Sequence, residues 1–158
     1  MTKAVLLDSC ELGDMCHPTD KDALLCREWA QNLKRKGTLL RIPDIVDYEV
    51  RRSFILGGCH EAIGILDQLR AIHGTLPVCE ESLKQAAIFW ARLRTGLRMA
   101  GTDDKRLDAD VIICGQAWVF AEQEGVKVQI ATDNIRHFQP LVDGTRIVDA
   151  KPWADIVP

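Results

Sequence analysis

Short apolar runs alternate with longer amphipathic segments along this chain. Runs of adjacent apolar residues predict strands, and apolar residues that recur every three or four positions predict helices. The runs place strands at residues 3–8, 38–42, 76–79 and 126–131, with an edge strand at 146–149. The helical spacing places helices at residues 20–36, 43–57, 61–72, 80–95 and 108–124, and a helical turn at 134–138.

Local signals mark the ends of several of these elements. Thr19 is the predicted N-cap of the first helix, and Gly37 follows its last turn. Residues 96–107 form a predicted polar loop. The clearest amphipathic helix, 80–95, carries one apolar stripe, made of Leu83, Ala86, Ala87, Trp90 and Leu93.

The order of elements determines the predicted fold class. Strands that alternate with helices form right-handed crossovers and a parallel sheet covered on both faces. We therefore predict an α/β fold in which residues 1–150 form one domain. Residues 151–158 form a C-terminal tail that is expected to pack loosely.

Acidic residues fall where this fold would gather them. Asp8 ends the first strand, Glu49 lies on the apolar face of its helix, Asp110 opens a helix, and Asp133-Asn134 follows the fourth strand. Ligands of open parallel sheets bind beyond the carboxyl ends of the strands. Carboxylates that meet there repel one another unless a cation lies between them, and oxygen ligands favour Mg²⁺ or Mn²⁺.

Each acid also has a simpler explanation. Asp8 and the Asp133-Asn134 pair suit turns or helix caps. Glu49 can pair with Arg52 or Ser53 on its own helix. Asp108, two residues before Asp110, can equally be a capping acid at the N-terminus of its helix, because negative charge there complements the helix dipole.

Composition narrows the classes of partner. The chain has 158 residues, is 47% hydrophobic and carries a formal net charge of −3, so it has no overall attraction for nucleic acid. A polyanion would need a local basic patch, and the candidate lies around the loop before Asp108. Its alternative is an ordinary solvated surface. The patch consists of Arg92, Arg94, Arg98, Lys105 and Arg106.

Two further patterns bear on the compartment. The N-terminus has no signal-peptide pattern, and no apolar run approaches the roughly 18 residues of a membrane helix. We therefore expect a cytoplasmic protein without membrane contact. Its cysteines are expected to be reduced and mostly buried: Cys10, Cys16, Cys26, Cys59, Cys79 and Cys114.

Four segments in a fixed order carry a family resemblance. They are Leu-Leu-Asp-Ser at 6–9, Ile-Pro-Asp at 42–44 leading to Glu49, the helix start at 108–117, and Ile-Ala-Thr-Asp-Asn with the residues that follow at 130–138. Together they resemble a PIN domain, and within that family the VapC type of toxin. The resemblance covers residues 3–148.

The resemblance implies a PIN-like fold, with a mainly parallel sheet of four or five strands flanked by helices. It also implies Mg²⁺-dependent (or Mn²⁺-dependent) hydrolysis of RNA by the toxin of a type II toxin–antitoxin pair. Asp8, Glu49 and Asp110 match the family's catalytic acids. The full set of candidate metal ligands is Asp8, Glu49, Asp108, Asp110, Asp133 and Asn134.

The last motif leaves the fourth acid position open between two residues. In the register Thr-x-Asn, Asn134 takes that position and Asp133 lies one residue before it. Ser9 and Thr132 match hydroxyl residues that would orient the carboxylates.

The resemblance also implies a cognate antitoxin and a homodimer. The apolar run Phe54-Ile55-Leu56 is a candidate interface, with burial in the core as its alternative. One alternative function is a catalytically silent PIN-like module that binds RNA or protein. A phosphatase with Asp-x-Asp on the first strand is disfavoured, because position 10 is Cys.

Overall fold

The computed structural model describes residues 2–95 and 104–158, with the side chains of residues 104–106 outside the description. Strands and helices alternate through these two segments. Two short 3-10 helices, at Gln139–Leu141 and Trp153–Asp155, complete the set. In chain order the main elements are β1 (Lys3–Leu7), α1 (Ser9–Met15), α2 (Lys21–Arg35), β2 (Leu39–Pro43), α3 (Asp44–Leu56), α4 (His60–His73), β3 (Thr75–Leu76), α5 (Glu80–Thr95), α6 (Asp104–Glu124), β4 (Lys127–Ala131), α7 (Ile135–Phe138) and β5 (Ile147–Lys151).

The strands form a single parallel sheet in the order β3-β2-β1-β4-β5. β1 is the central strand, and Ala4 to Leu7 are fully buried, as expected for a strand covered by helices on both faces. Leu7 pairs with Ala131, so β1 and β4 end side by side. This α/β architecture confirms the predicted fold class, and it places Asp8 and Thr132 at the same edge.

One helix was absent from the sequence prediction. Asp8 is the N-cap of α1, and its side chain accepts a hydrogen bond from the backbone N–H of Ser9. Leu12 and Met15 of α1 are fully buried. Helix α1 therefore fixes the direction in which the chain leaves the central strand.

Several predicted boundaries are wrong. Strand β3 has two residues rather than four, and α6 begins at Asp104, inside the predicted loop 96–107, of which residues 96–103 lie outside the described segments. Asp20, not Thr19, caps α2, because its side chain accepts bonds from the N–H groups of Asp22 and Ala23.

The apolar stripe predicted for α5 is also partly wrong. Ala86 and Leu93 are buried as expected, but Leu83 is 47% exposed and Trp90 is 37% exposed. The helix turns Phe89 inward instead, where its ring meets Trp118 of α6 edge to face with centroids 5.8 Å apart. Helix α5 thus packs on α6 through a face rotated from the predicted one.

The C-terminal residues do not pack loosely. The indole Nε1 of Trp29 donates to the carbonyl of Ile156 at 2.8 Å, and the rings of Trp29 and Trp153 lie 5.7 Å apart. Ile156 is buried. The expectation of a loose tail is therefore wrong.

Cysteine burial is mixed. All six cysteines are free; Cys16, Cys26 and Cys114 are buried, whereas Cys10 and Cys59 are exposed. The expectation of mostly buried thiols thus holds for half of them. Within the parts of the chain that the structure describes, none of the helices is both long and apolar enough to cross a membrane.

Candidate functional site

Asp8 lies at the carboxyl edge of the sheet, between the ends of β1 and β4. One carboxylate oxygen accepts from the backbone N–H of Ser9 at 2.7 Å, and the other accepts from the hydroxyl of Thr132 at 2.6 Å. Burial raises the pKa of Asp8, and these hydrogen bonds oppose that shift. Ser9 and Thr132 therefore contact a carboxylate, in the positions predicted for orienting residues.

Asp110 reaches the same region from the first half of α6. Its Oδ2 lies 2.6 Å from Nδ1 of His137, and both side chains are buried. The pKa of Asp110 is raised to about 6, mainly by burial; the hydrogen bond to His137 opposes this shift, and the negative charges of Asp8 and Glu49 add to it. The carboxylate is thus held by a histidine and repelled by two other acids.

Glu49 approaches from α3. Burial raises the pKa of Glu49, and the charge of Asp8 adds to that shift. A hydrogen bond from the Ser9 side chain and the nearby guanidinium of Arg52 oppose it. Asp8, Glu49 and Asp110 therefore act on one another electrostatically, although they come from three separate elements.

The two candidates for the fourth position face different neighbours. Asn134 donates its backbone N–H to the Thr132 hydroxyl at 2.9 Å, and its side-chain amide lies 2.7 Å from Nδ1 of His137. Asn134 and Asp110 therefore both lie beside the imidazole of His137. Asp133 is exposed and contacts Glu11 instead.

Glu11 is an acid that the sequence analysis missed. It lies on α1, is 1% exposed, and its Oε1 has no hydrogen-bond partner among the described residues. Burial raises the pKa of Glu11 to about 8, and the charges of Asp133, Asp14 and Asp8 contribute to that shift. Glu11 lies three residues after Asp8, at the end of a buried strand. Had α1 been predicted, this position would have indicated that Glu11 belongs to the site.

His137 was likewise missed as a site residue. It lies on α7, three residues after Asn134, and its Nδ1 lies 2.6 Å from the carboxylate of Asp110 and 2.7 Å from the side-chain amide of Asn134. Its sequence position gave no sign of this, because its partner Asp110 lies 27 residues earlier on another helix.

Of the remaining predicted residues, those whose side chains the structure describes have other neighbours. Asp108 is exposed and lines a groove between α5 and α6 with Leu83 and Trp90. The guanidinium groups of Arg92 and Arg94 stack over aromatic rings of α5 itself, at 5.8 and 5.1 Å from the ring centroids. Arg98 lies outside the described residues, as do the side chains of Lys105 and Arg106.

The donor chemistry of the cluster fits a hard cation. Asp8, Glu49 and Asp110 offer carboxylate oxygens at a shared edge, and burial raises the pKa of each. Across residues 2–95 and 104–158, however, no three His, Cys, Asp or Glu side chains are arranged as a ready metal-binding group.

Comparison with known proteins identifies the fold. No family model matches the chain, and no curated protein matches it. Among solved structures it is similar to a chain in the crystal structure of VapBC2 from Rickettsia felis bound to a DNA fragment from their promoter. The TM-score is 0.64, and the match covers 94% of this chain and 98% of that one. The chain has a PIN-like fold.

The similarity to VapBC2 is structural, with 15% sequence identity. At that level it establishes the PIN-like fold and leaves the chemistry to be argued from this chain's own residues. Asp8 follows β1 at the carboxyl edge of the sheet, and the charges of Asp8 and Glu49 both act on Asp110.

Proposed function

We propose that this protein is a Mg²⁺-dependent (or Mn²⁺-dependent) endoribonuclease of the VapC type, the toxin of a type II toxin–antitoxin pair. One observation carries the proposal: three carboxylates, from the residue after β1, from α3 and from α6, act on one another electrostatically at the carboxyl edge of a PIN-like sheet. Burying mutually repelling acids is costly, and binding a cation would offset that cost.

The residues that would hold the cation are Asp8, Glu49 and Asp110, with the Asn134 amide as a fourth oxygen donor. A bound Mg²⁺ supplies an activated water for attack on a phosphodiester and offsets charge on the scissile phosphate.

The protein's own contribution is to position the acids. Thr132 and Ser9 fix the Asp8 carboxylate through hydrogen bonds, and His137 fixes Asp110. Asn134 in turn contacts the imidazole of His137. These contacts hold carboxylates from separate elements at one edge of the sheet.

A protein partner is part of the same proposal. The structurally similar chain belongs to a VapBC2 complex, and we propose a cognate antitoxin for this chain. The acidic cluster would suit a basic side chain from that partner, because Asp110 is subject to the negative charges of Asp8 and Glu49. A homodimer formed through the end of α3 is also proposed.

The test is cleavage of total and structured RNA by the purified protein with Mg²⁺, Mn²⁺ or EDTA. We expect cleavage with either metal and none with EDTA. Asp8→Asn and Asp110→Asn should each lower the rate by on the order of 100-fold or more, since even residues that only orient metal ligands contribute about 10–100-fold. Both variants should remain folded in metal-free buffer, because each removes repulsion from the cluster.

The matched control is Asp22→Asn, the same chemical change at an exposed position on α2. It should cleave like the unmodified protein. Full activity in Asp8→Asn or Asp110→Asn would contradict the proposal.

The alternative is a silent PIN-like module that binds RNA or protein without cleaving. It is favoured by the absence, among the described residues, of three His, Cys, Asp or Glu side chains arranged to hold a metal ion. Saturable RNA binding with no cleavage under any metal condition would support this alternative.

A further inference from the structure

A cavity of about 450 Å³ lies at the amino edge of the sheet, on the opposite side from the carboxylate cluster. Thr38 immediately precedes β2 and Gly74 immediately precedes β3, so the cavity lies where two parallel strands begin. The last turns of α2 and α4 complete its walls. Three side chains in the walls carry its chemistry: Lys34, Arg41 and His73.

The cavity is positively charged. Lys34 of α2 and Arg41 of β2 line it, and none of the described lining residues is acidic. Both cations donate to backbone carbonyls in the last turn of α4: Lys34 Nζ to Ile72 at 2.9 Å, and Arg41 Nη1 to His73 at 2.7 Å. These bonds suit the negative end of a helix dipole. With no carboxylate in the walls, the two charges still favour an anion in the cavity.

Arg41 presents an unused hydrogen-bonding edge. Its Nη1 is engaged by the carbonyls of Leu40 and His73, whereas Nε and Nη2 have no hydrogen-bond partner among the described residues. Arg51 uses the same pair of nitrogens to hold both carboxylate oxygens of Asp47. This edge of a guanidinium matches two oxygens of a carboxylate or a phosphate.

His73 is buried beside the two cations without a hydrogen-bond partner. It is 5% exposed, and within the described part of the chain neither ring nitrogen is bonded. Burial, together with the charges of Lys34 and Arg41, lowers the pKa of His73 to about 4, so the ring is neutral at pH 7. Buried polar groups normally have partners. A bound anion would supply one and offset the two neighbouring positive charges.

We propose that this cavity binds a small organic phosphate monoester, with its phosphate group between Lys34 and Arg41. A phosphate monoester has three oxygens that accept hydrogen bonds, which suits an ammonium, a two-nitrogen guanidinium edge and the hydroxyl of Thr38. The cavity falls within the range of about 300–1,000 Å³ that holds small organic ligands, so there is room for a body beside the phosphate. The exposed apolar side chain of Ile72 lies in the wall to contact that body.

The imidazole of His73 is a local reporter of occupancy. It is one of the chain's four histidines and the only one that lines this cavity among the described residues. Its nuclear magnetic resonance signal is assigned as the one that disappears in His73→Gln. We would titrate the full chain, in EDTA, with ribose 5-phosphate and with adenosine 5′-monophosphate. The comparison compounds are ribose, adenosine and inorganic phosphate.

Both esters should shift the His73 signal saturably and leave the signals of His17 and His60 unchanged, whereas ribose and adenosine should shift none. No shift of His73 with either ester would overturn the proposal. Inorganic phosphate that binds as tightly as the esters would also overturn it, because the cavity would then not contact an organic body.

Variants test the two cations. Lys34→Gln removes one charge, and Arg41→Lys keeps the charge but removes the two-nitrogen edge. Each should weaken binding of adenosine 5′-monophosphate about tenfold, as measured by calorimetry. Arg35→Gln removes the same charge one residue from Lys34 but outside the cavity, and should bind like the unmodified protein.

Unchanged affinity in both Lys34→Gln and Arg41→Lys would overturn the proposal. An equal loss in Arg35→Gln and Lys34→Gln would do so as well, because it would show a general effect of charge.

His137 separates this cavity from the candidate nuclease site, since it lies beside Asp110. A shift of His137 without a shift of His73 would place the ester at the carboxylate cluster and overturn the proposal. An oligoribonucleotide without a terminal phosphate carries only phosphodiesters and should not shift His73. If it shifts that signal as strongly as the esters do, the cavity binds a polynucleotide backbone and the proposal is wrong.

Discussion

At the scale of single residues, the fourth position of the cluster can be decided between Asp133 and Asn134. Asn134 contacts His137, which holds Asp110, whereas Asp133 is exposed and contacts Glu11. We expect Asn134→Ala to lower the initial rate of RNA cleavage by about 10–100-fold and Asp133→Ala to lower it less. If Asp133→Ala proved the more damaging change, the motif register that places Asn134 in this position would be off by one.

Glu11 should make the protein less stable as the pH rises. The folded state holds its proton up to a pKa of about 8, whereas the unfolded chain loses it near the usual value of 4.5. Between those values the folded state binds more protons, so the free energy of unfolding falls with increasing pH. Glu11→Gln should therefore raise it by on the order of 2–4 kcal/mol at pH 9 and change it little at pH 5.

Urea unfolding in EDTA at the two pH values measures this difference. Glu124→Gln, at the exposed end of α6, is the control and should show the same small change at both. A pH-independent effect of Glu11→Gln would mean that the carboxyl group is not protonated in the folded protein.

Three acids of the candidate site could be predicted because each lies next to apolar residues in the sequence. Asp8 follows an apolar run, Glu49 lies on an apolar helix face, and Asp110 shares a face with apolar residues, so each is expected to point inward. Glu11 and His137 were not predictable in this way. Their burial depends on which elements pack around them, and that information is not in the local pattern.

At the scale of elements, α5 and α6 are brought close together by Gly115. A Cβ atom there would overlap the backbone carbonyl oxygen of Ser82 and lie 3.1 Å from the backbone nitrogen of Ala86. Gly115→Ala should lower the free energy of unfolding by about 1–3 kcal/mol, because the two helices would have to move apart. The midpoint of urea unfolding measures the loss.

Gly64→Ala is the matched control for Gly115→Ala. Gly64 lies within α4, and an added Cβ would meet nothing within 4 Å. Alanine favours the helix by about 1 kcal/mol over glycine, so this change should stabilise the protein slightly. Equal effects of the two substitutions would show that the α5–α6 contact is not close packed.

The sequence predicted which segments are helices and which are strands. It was less informative about the buried face of a helix and about short elements. Helix α1 was missed because its seven residues carry little periodicity, although Asp8 is a normal capping residue. The buried face of α5 differs from the predicted face because Phe89 packs against Trp118 of α6. The apolar pattern of one helix does not show which side chains the neighbouring helix presents to it.

At the scale of the whole molecule, the end of α3 is a candidate surface for a second copy. Leu56 is 91% exposed and Ile55 is 63% exposed, so the core interpretation of this run is wrong for these two residues. Exposed apolar side chains in a group are typical of interaction sites. Light scattering should give twice the 17.7 kDa of one chain, and Leu56→Lys should shift the protein to the monomer.

Leu24→Lys introduces the same charge at an exposed apolar position on α2 and should leave the dimer intact. A mass of 17.7 kDa for the unmodified protein over a wide concentration range would disprove the dimer. The catalytic assignment would not be affected.

The contact between Trp29 and Trp153 has a spectroscopic consequence. It brings two of the chain's four tryptophans within 5.7 Å, and the indole N–H of Trp29 is hydrogen-bonded to the Ile156 carbonyl. Detachment of residues 151–158 from α2 would separate the rings and expose Trp29 to water. Intrinsic fluorescence can therefore follow the docking of these residues while the sheet stays folded.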